Sequence, residues 1–261
     1  MYFTDYIEGK ILNTLLGVTM TAIAEVYFDL LVSAPNEDGT GAVPISYSGY
    51  TRELVTFSTP AAMSGGFGIQ NDVEIEFAQS AADAGTCTYV AAYDSLTGGN
   101  MLFYGPLNTS KVIKAGTAPI IRAGEAKFWM TGSFSLSFMA RILNVFRGAS
   151  GSSITGFTPY ATLFNGDPQQ GGSELTGGSF ARQAITFGTP AAASSGQMQV
   201  ANTAAVSFPV ATSNLGSYSY DAIYDAASGG NLISLKVGTS DTYSKGDLTK
   251  YPIGSLVVGV N

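Results

Sequence analysis

Between Tyr2 and Leu16 the apolar side chains Phe3, Ile7, Ile11 and Leu15 recur on one stripe, with Tyr6, Leu12 and Leu16 beside it. That is the spacing of an amphipathic helix, and Gly17 is placed to stop it. The stripe returns at Phe138, Ile142 and Phe146, with Ser135 or Ser137 as the cap and Gly148 as the stop. Elsewhere the pattern is that of strands. Glu25 to Ser33 is rich in aromatic and aliphatic residues, and Leu54 to Phe57 is β-prone before a Thr-Pro break. Asp72 to Phe77 alternates, with Val73, Ile75 and Phe77 on one face and Asp72, Glu74 and Glu76 on the other, predicting a half-buried strand. Thr86 to Tyr93 and Met101 to Leu107 flank SLTGGN and predict a hairpin. Lys127 to Met130 and Leu256 to Val260 predict closing strands.

These segments occur twice. AYDSLTGGNML (Ala92 to Leu102) returns as IYDAASGGNLI (Ile223 to Ile233), RELVTFSTPAA (Arg52 to Ala62) as RQAITFGTPAA (Arg182 to Ala192), and ILNTLLG (Ile11 to Gly17) as ILNVFRG (Ile142 to Gly148). More weakly, YFDLLVSAP (Tyr27 to Pro35) returns as YATLFNGDP (Tyr160 to Pro168), and VEIEF (Val73 to Phe77) as AAVSF (Ala204 to Phe208). The order is preserved and the offset drifts only in turn-like stretches, where insertions are tolerated. The pattern predicts a mainly β chain of two tandem antiparallel β-sandwich domains of jelly-roll or Ig-like kind, each preceded by a short α-helix. The expected units are residues 1–132 and 133–261, with each helix covering an open end or edge. A barrel is the alternative architecture.

Composition narrows the function. Of 261 residues only 12% are charged while 45% are hydrophobic, with 32 Gly, 14 Tyr and 15 Phe. This describes a turn-rich β protein with a sizeable core, and a surface suited to cover by neighbours. The net charge of −7, with 12 scattered Lys and Arg, argues against nucleic acid as a partner. The uncharged run Ile11 to Ala24 is too short to span a bilayer, so no membrane association is expected. The start, MYFTDYIEGK, is acidic before that run, the wrong order for a secretory signal.

Candidate chemistry is sparse. There is no histidine and one cysteine, Cys87, which removes His-dependent triads and a structural zinc site. Glu74 and Glu76 share a strand face, the kind of neighbourhood a glycosidase carboxylate pair needs, but the second copy has Ala205 and Ser207 there, so a solvated face is the simpler reading. Asn36 to Gly39 offers oxygens for calcium but lacks the spaced ligands and closing Glu of an EF-hand, and a turn is expected. Asp94 and Asp225 are expected to cap the turns they precede, whose glycines Gly98, Gly99, Gly229 and Gly230 call for positive φ. GGFG (Gly65 to Gly68) lacks the strand–helix context of a phosphate loop. Trp129 and the tyrosines suit either a core or sugar stacking. The expectation is therefore no catalytic, cofactor-binding or metal-binding residue.

The segments Ile142 to Gly148, Phe180 to Ala192, Val206 to Pro209 and Tyr224 to Leu232, with their first-copy equivalents, resemble a family of small bacteriophage structural proteins, the phage tail fibre family, whose members are single copies of about half this length. The resemblance implies a non-enzymatic virion component, tail-associated or capsid-decorating, assembled in the host bacterial cytoplasm. Its partners would be other virion proteins, from the tail or the major capsid protein, and further copies of itself as a homo-oligomer. A host-surface carbohydrate-binding, lectin-like module is the alternative function, and a glycoside hydrolase the third.

Overall fold

Helices form where the apolar stripes predict them in the computed structural model, which describes residues 2–148, 151–194 and 196–260. Helix α1 (Asp5–Asn13) runs into a 3₁₀ turn at Thr14–Leu16, and Gly17 ends it at φ 82°. Helix α2 (Leu136–Phe146) is capped by Ser135, whose Oγ accepts from the Phe138 N–H at 3.1 Å. No helix among the described residues is long and apolar enough to cross a membrane.

The first half carries β1 (Tyr2–Phe3), β2 (Val26–Leu31), β3 (Glu53–Val55), β4 (Ala61–Met63), β5 (Gly66–Gln70), β6 (Ile75–Glu76), β7 (Gly85–Tyr93), β8 (Met101–Ile113), β9 (Ile120–Ile121) and β10 (Lys127–Met130). They form an antiparallel sheet β1-β8-β7-β2-β3, a second sheet β10-β5-β4, and a ribbon β6-β9. The two sheets bury their inner faces against each other, as an antiparallel sandwich does. Phe103 of β8 stacks on Phe128 of β10 at 4.3 Å, and Phe28 of β2 meets Phe57 edge-on at 6.0 Å.

The second half repeats this with β11 (Tyr160–Phe164), β12 (Gln183–Ala184), β13 (Ala191–Ala192), β14 (Met198–Ala201), β15 (Val206–Ser207), β16 (Gly216–Tyr224), β17 (Leu232–Tyr243), β18 (Lys250–Tyr251) and β19 (Val257–Gly259). The sheets are β12-β11-β16-β17 and β13-β14-β19, with the ribbon β15-β18. The bridge Phe134–Ser234 stands where β1 pairs with β8. The chain is thus mainly β, two antiparallel sandwiches each led by a helix.

One predicted strand is shorter than its pattern. Of Asp72 to Phe77 only Ile75–Glu76 is strand, and Val73 is exposed while Ile75 and Phe77 are buried. The buried Asn71 side chain donates to the Val73 and Arg122 carbonyls and accepts from the Ala126 N–H. These bonds hold Asp72 and Val73 in a bend, out of the ladder. Asn202 repeats the arrangement with Ala204, Pro252 and Leu256.

The helices depart further from expectation. Each does not simply cover its own sandwich. It is wedged between a strand of its own half and a strand of the other: α1 lies against β8 and β14, and α2 against β17 and β5. Phe146 of α2 sits among Phe3, Phe103 and Phe128 of the first half, at centroid distances of 5.8, 5.7 and 5.8 Å. Arg147 Nε donates to the Phe57 carbonyl at 3.2 Å, and Glu8 of α1 accepts from the Met198 N–H at 2.6 Å. The segments after the helices complete the exchange. Met20 and Ile154 form a reciprocal antiparallel bridge, with N–O distances of 2.9 and 2.8 Å. Two further pairs of contacts beside it mirror one another: Ala22 N–H to Ser153 Oγ against Gly156 N–H to Thr19 Oγ1, and Ile23 N–H to Val145 O against Phe157 N–H to Thr14 O. Reciprocity of this kind is the signature of a local two-fold axis, passing here between Met20 and Ile154. One continuous hydrophobic cluster spans both halves.

Candidate functional site

The structure disperses the candidate chemistry. Glu74 and Glu76 are both exposed on the wet side of their segment. Asn36 to Gly39 is a self-bonded turn: Asn36 Nδ2 donates to Thr40 Oγ1, and Asp38 Oδ1 accepts from the Thr40 N–H and hydroxyl. Among the described residues no group of three potential metal ligands gathers. Cys87 is fully buried, and burial followed by the Asp29 charge pushes its thiol up to about 11, so little thiolate forms at neutral pH. GGFG runs from the turn after β4 into β5, and a Cβ on Gly65 would fall 2.4 Å from the Trp129 indole and one on Gly68 would fall 2.2 Å from the Phe128 carbonyl. Those glycines exist to let Trp129 lie against the strand.

What the two halves share at their hairpin turns is an arginine lock. Asp94 takes the Asn100 N–H at 2.7 Å and its side-chain amide at 2.8 Å, and Asp225 does the same for Asn231. The paired glycines sit at φ 63° and 72°, and at 61° and 72°. Arg52 then donates to the Ser95 and Gly98 carbonyls while stacking 3.4 Å over Tyr93. Arg182 donates to Ala226 and Gly229 and stacks 3.8 Å over Tyr224. The carboxylate that pairs each arginine comes from a different element. Asp29 on β2 serves Arg52 at 3.1 Å. In the second half Thr162 occupies that strand position, and Glu174 reaches in from the loop to meet Arg182 at 2.6 Å. Burial pushes the Glu174 carboxyl up, but the hydrogen bonds from Arg182 and Thr162 and the guanidinium charge outweigh it and hold the group below the ordinary range. These charges lock the backbone of the two hairpin turns.

A groove does open between the sheets of each half, at matching positions, and its chemistry has diverged. In the second half it is about 70 Å³. Asp221 and Lys236 face each other across β16 and β17, and Tyr251 donates its hydroxyl to Asp221. Burial pushes the Asp221 carboxyl up, and burial with that neighbouring carboxylate pushes the Tyr251 phenol up. In the first half the same three positions are Val90, Gly105 and Ile121. These smaller or apolar residues leave about 280 Å³ open. Its rim is the outward bulge of β8 at Leu107 to Ser110, with Lys111, Glu125, Lys127 and a half-buried Trp129. Sequence reading singled out Trp129 but could not assemble the groove, because the bulge and the small floor residues are set by pairing register.

No curated protein matches the chain. The profile of the family described as podophage GP4 fiber I protein gp80 matches it twice in succession, over residues 2–128 and 133–259. The two matched segments are the two helix-led sandwiches. The chain therefore belongs to the podophage GP4 fiber I protein family, a family of phage structural fibre proteins, and carries that unit in tandem duplicate.

Proposed function

We propose that this chain is a tail-associated, fibre-like, non-enzymatic component of a bacteriophage particle, acting by burying surface against other virion proteins and further copies of itself. The supporting observation is the doubled family unit wrapped around a local two-fold. One chain then offers related docking elements twice: edge strands β3 and β12 are counterparts, as are β4 and β13. Edge strands carry unpaired backbone groups that a neighbouring chain can satisfy, and two linked sites raise effective concentration. We divide the chain into units 1–132 and 133–261, joined through the exchanged helices, and infer assembly in the host cytoplasm. Capsid decoration is the other placement such a bridging build suits. Reconstruction of the purified particle tests the reading. Density for this fold at the tail is expected, density on the capsid lattice would move the protein there, and absence from the particle would overturn the proposal. Docking to host-surface sugar is a second reading, favoured by the Trp129 groove.

A further inference from the structure

We infer that the first-half groove is a saccharide-binding subsite, with the Trp129 indole as its stacking platform. The inference rests on the sugar-docking reading above and assigns it a place. It is carried by an internal comparison, since the duplicated chain holds the same groove in two states. In the second half the floor is filled by the Asp221–Tyr251 hydrogen bond with Lys236 opposite. In the first half Val90, Gly105 and Ile121 vacate that space.

The walls have changed in step. The outward bulge of the long hairpin spans Leu107 to Ser110 between the pairs Tyr89–Pro106 and Cys87–Lys111, and is one residue shorter in the second half, between Tyr220–Val237 and Tyr218–Asp241. Glu125, Lys127 and Trp129 stand where the second half has Ser255, Val257 and Gly259. Gly68 opposite Trp129 is matched by Gln199, which pairs with Gly259. The first half thus combines an aromatic side chain seated on a glycine floor, a cavity, and charged and polar groups converging from two strands.

That combination fits a pyranose ring. A sugar presents one face of C–H bonds to an aromatic surface and a belt of hydroxyls to polar groups at its edge. Here the belt would meet Asn108 and Thr109 on the bulge, and the Lys111–Glu125 pair, whose 4.0 Å separation leaves room for a hydroxyl to bridge both. Lys127 has no carboxylate within 4.0 Å among the described residues, so a sugar bearing an acidic group would gain a charge-assisted bond there.

Trp129 is the only tryptophan in the chain, so its fluorescence reports the groove directly. The full chain is titrated with a neutral hexose, a 6-deoxyhexose, an N-acetylhexosamine and a hexuronate, each to about 50 mM, well above a millimolar dissociation constant. At least one should shift Trp129 emission saturably, with the hexuronate tightest. Lys111→Ala and Lys127→Val should each weaken that binding by about threefold to tenfold, and Trp129→Phe, followed by calorimetry, should weaken it by about tenfold. Lys236→Ala, in the sealed groove, should leave it unchanged. The inference is overturned if no sugar gives a saturable response, or if binding survives all three first-half substitutions. Particle reconstruction reads the structural role separately, so failure here leaves that role standing.

Discussion

Replacing Phe146 by alanine separates a chain of two independent sandwiches from one held together by exchanged helices. Phe146 belongs to the second copy in sequence, yet its ring is 2% exposed and packs among three phenylalanines of the first. Truncating a buried Phe to Ala costs about 3–5 kcal/mol through lost transfer energy and the cavity left behind. Three ring–ring contacts place this site in the upper half of that range, about 4 kcal/mol. With a urea m-value of about 3 kcal/mol per molar, the midpoint falls by roughly 1.3 M. Unfolding is followed by far-UV circular dichroism, which sees both halves, and by Trp129 fluorescence, which sees only the first. Helix exchange predicts that the Trp129 transition moves down as far as the dichroism transition. If Trp129 unfolds at its unaltered midpoint while part of the dichroism signal moves, the reasoning is refuted.

Other consequences follow from the same seam. Burial, against the opposing Met198 hydrogen bond, pushes the Glu8 carboxyl up from 4.5 to about 7. The folded state therefore binds this proton more tightly than the unfolded chain. Its contribution is full below about pH 4.5 and is lost as pH rises through 7. Glu8→Gln keeps an acceptor for Met198 and removes the charge, so thermal melts should show it about 1–2 kcal/mol more stable than the parent at pH 8, after allowance for solvent at the seam, and no more stable at pH 4.5. A Cβ on Gly156 would stand 2.1 Å from the Gly17 carbonyl carbon and 2.4 Å from the Val18 nitrogen. Gly156→Ala should cost upwards of about 2 kcal/mol in urea unfolding, and an unchanged midpoint would contradict the close approach of the two halves. Gly9 lies inside α1 with open space at its Cβ. Gly9→Ala should stabilise by about 0.5–1 kcal/mol in the same assay, and destabilisation would show that this helix face is covered.

The elements that could be read in advance were those specified by local chemistry. The apolar stripes of both helices, the Ser135 cap, the Gly17 and Gly148 stops and the glycine pairs of the hairpin turns each carry their cause within a few residues. The duplication was legible because those local signals recur in order. What escaped were choices between partners. A helix stripe states that Phe146 is buried but not which copy buries it. The alternation of Asp72 to Phe77 could not show that Asn71 would take the backbone groups the strand needed. The carboxylate for the arginine lock moved from a strand at Asp29 to a loop at Glu174, so aligning the copies conceals that they solve one problem. The groove was hidden for the same reason. Trp129 stood out in the sequence, but the residues that give it a cavity are unremarkable until pairing brings Val90 and Ile121 into the same groove.

The reciprocal bridge on the local two-fold offers the most direct test of the exchanged arrangement. Met20 and Ile154 trade both backbone hydrogen bonds, a pairing that sets Cα atoms about 5.5 Å apart, within disulfide range. With Cys87 replaced by serine, Met20→Cys combined with Ile154→Cys should oxidise to a disulfide inside one chain, detected as a monomer of altered mobility on a non-reducing gel with no free thiol. Two free thiols after oxidation, or only dimers linked between chains, would contradict it.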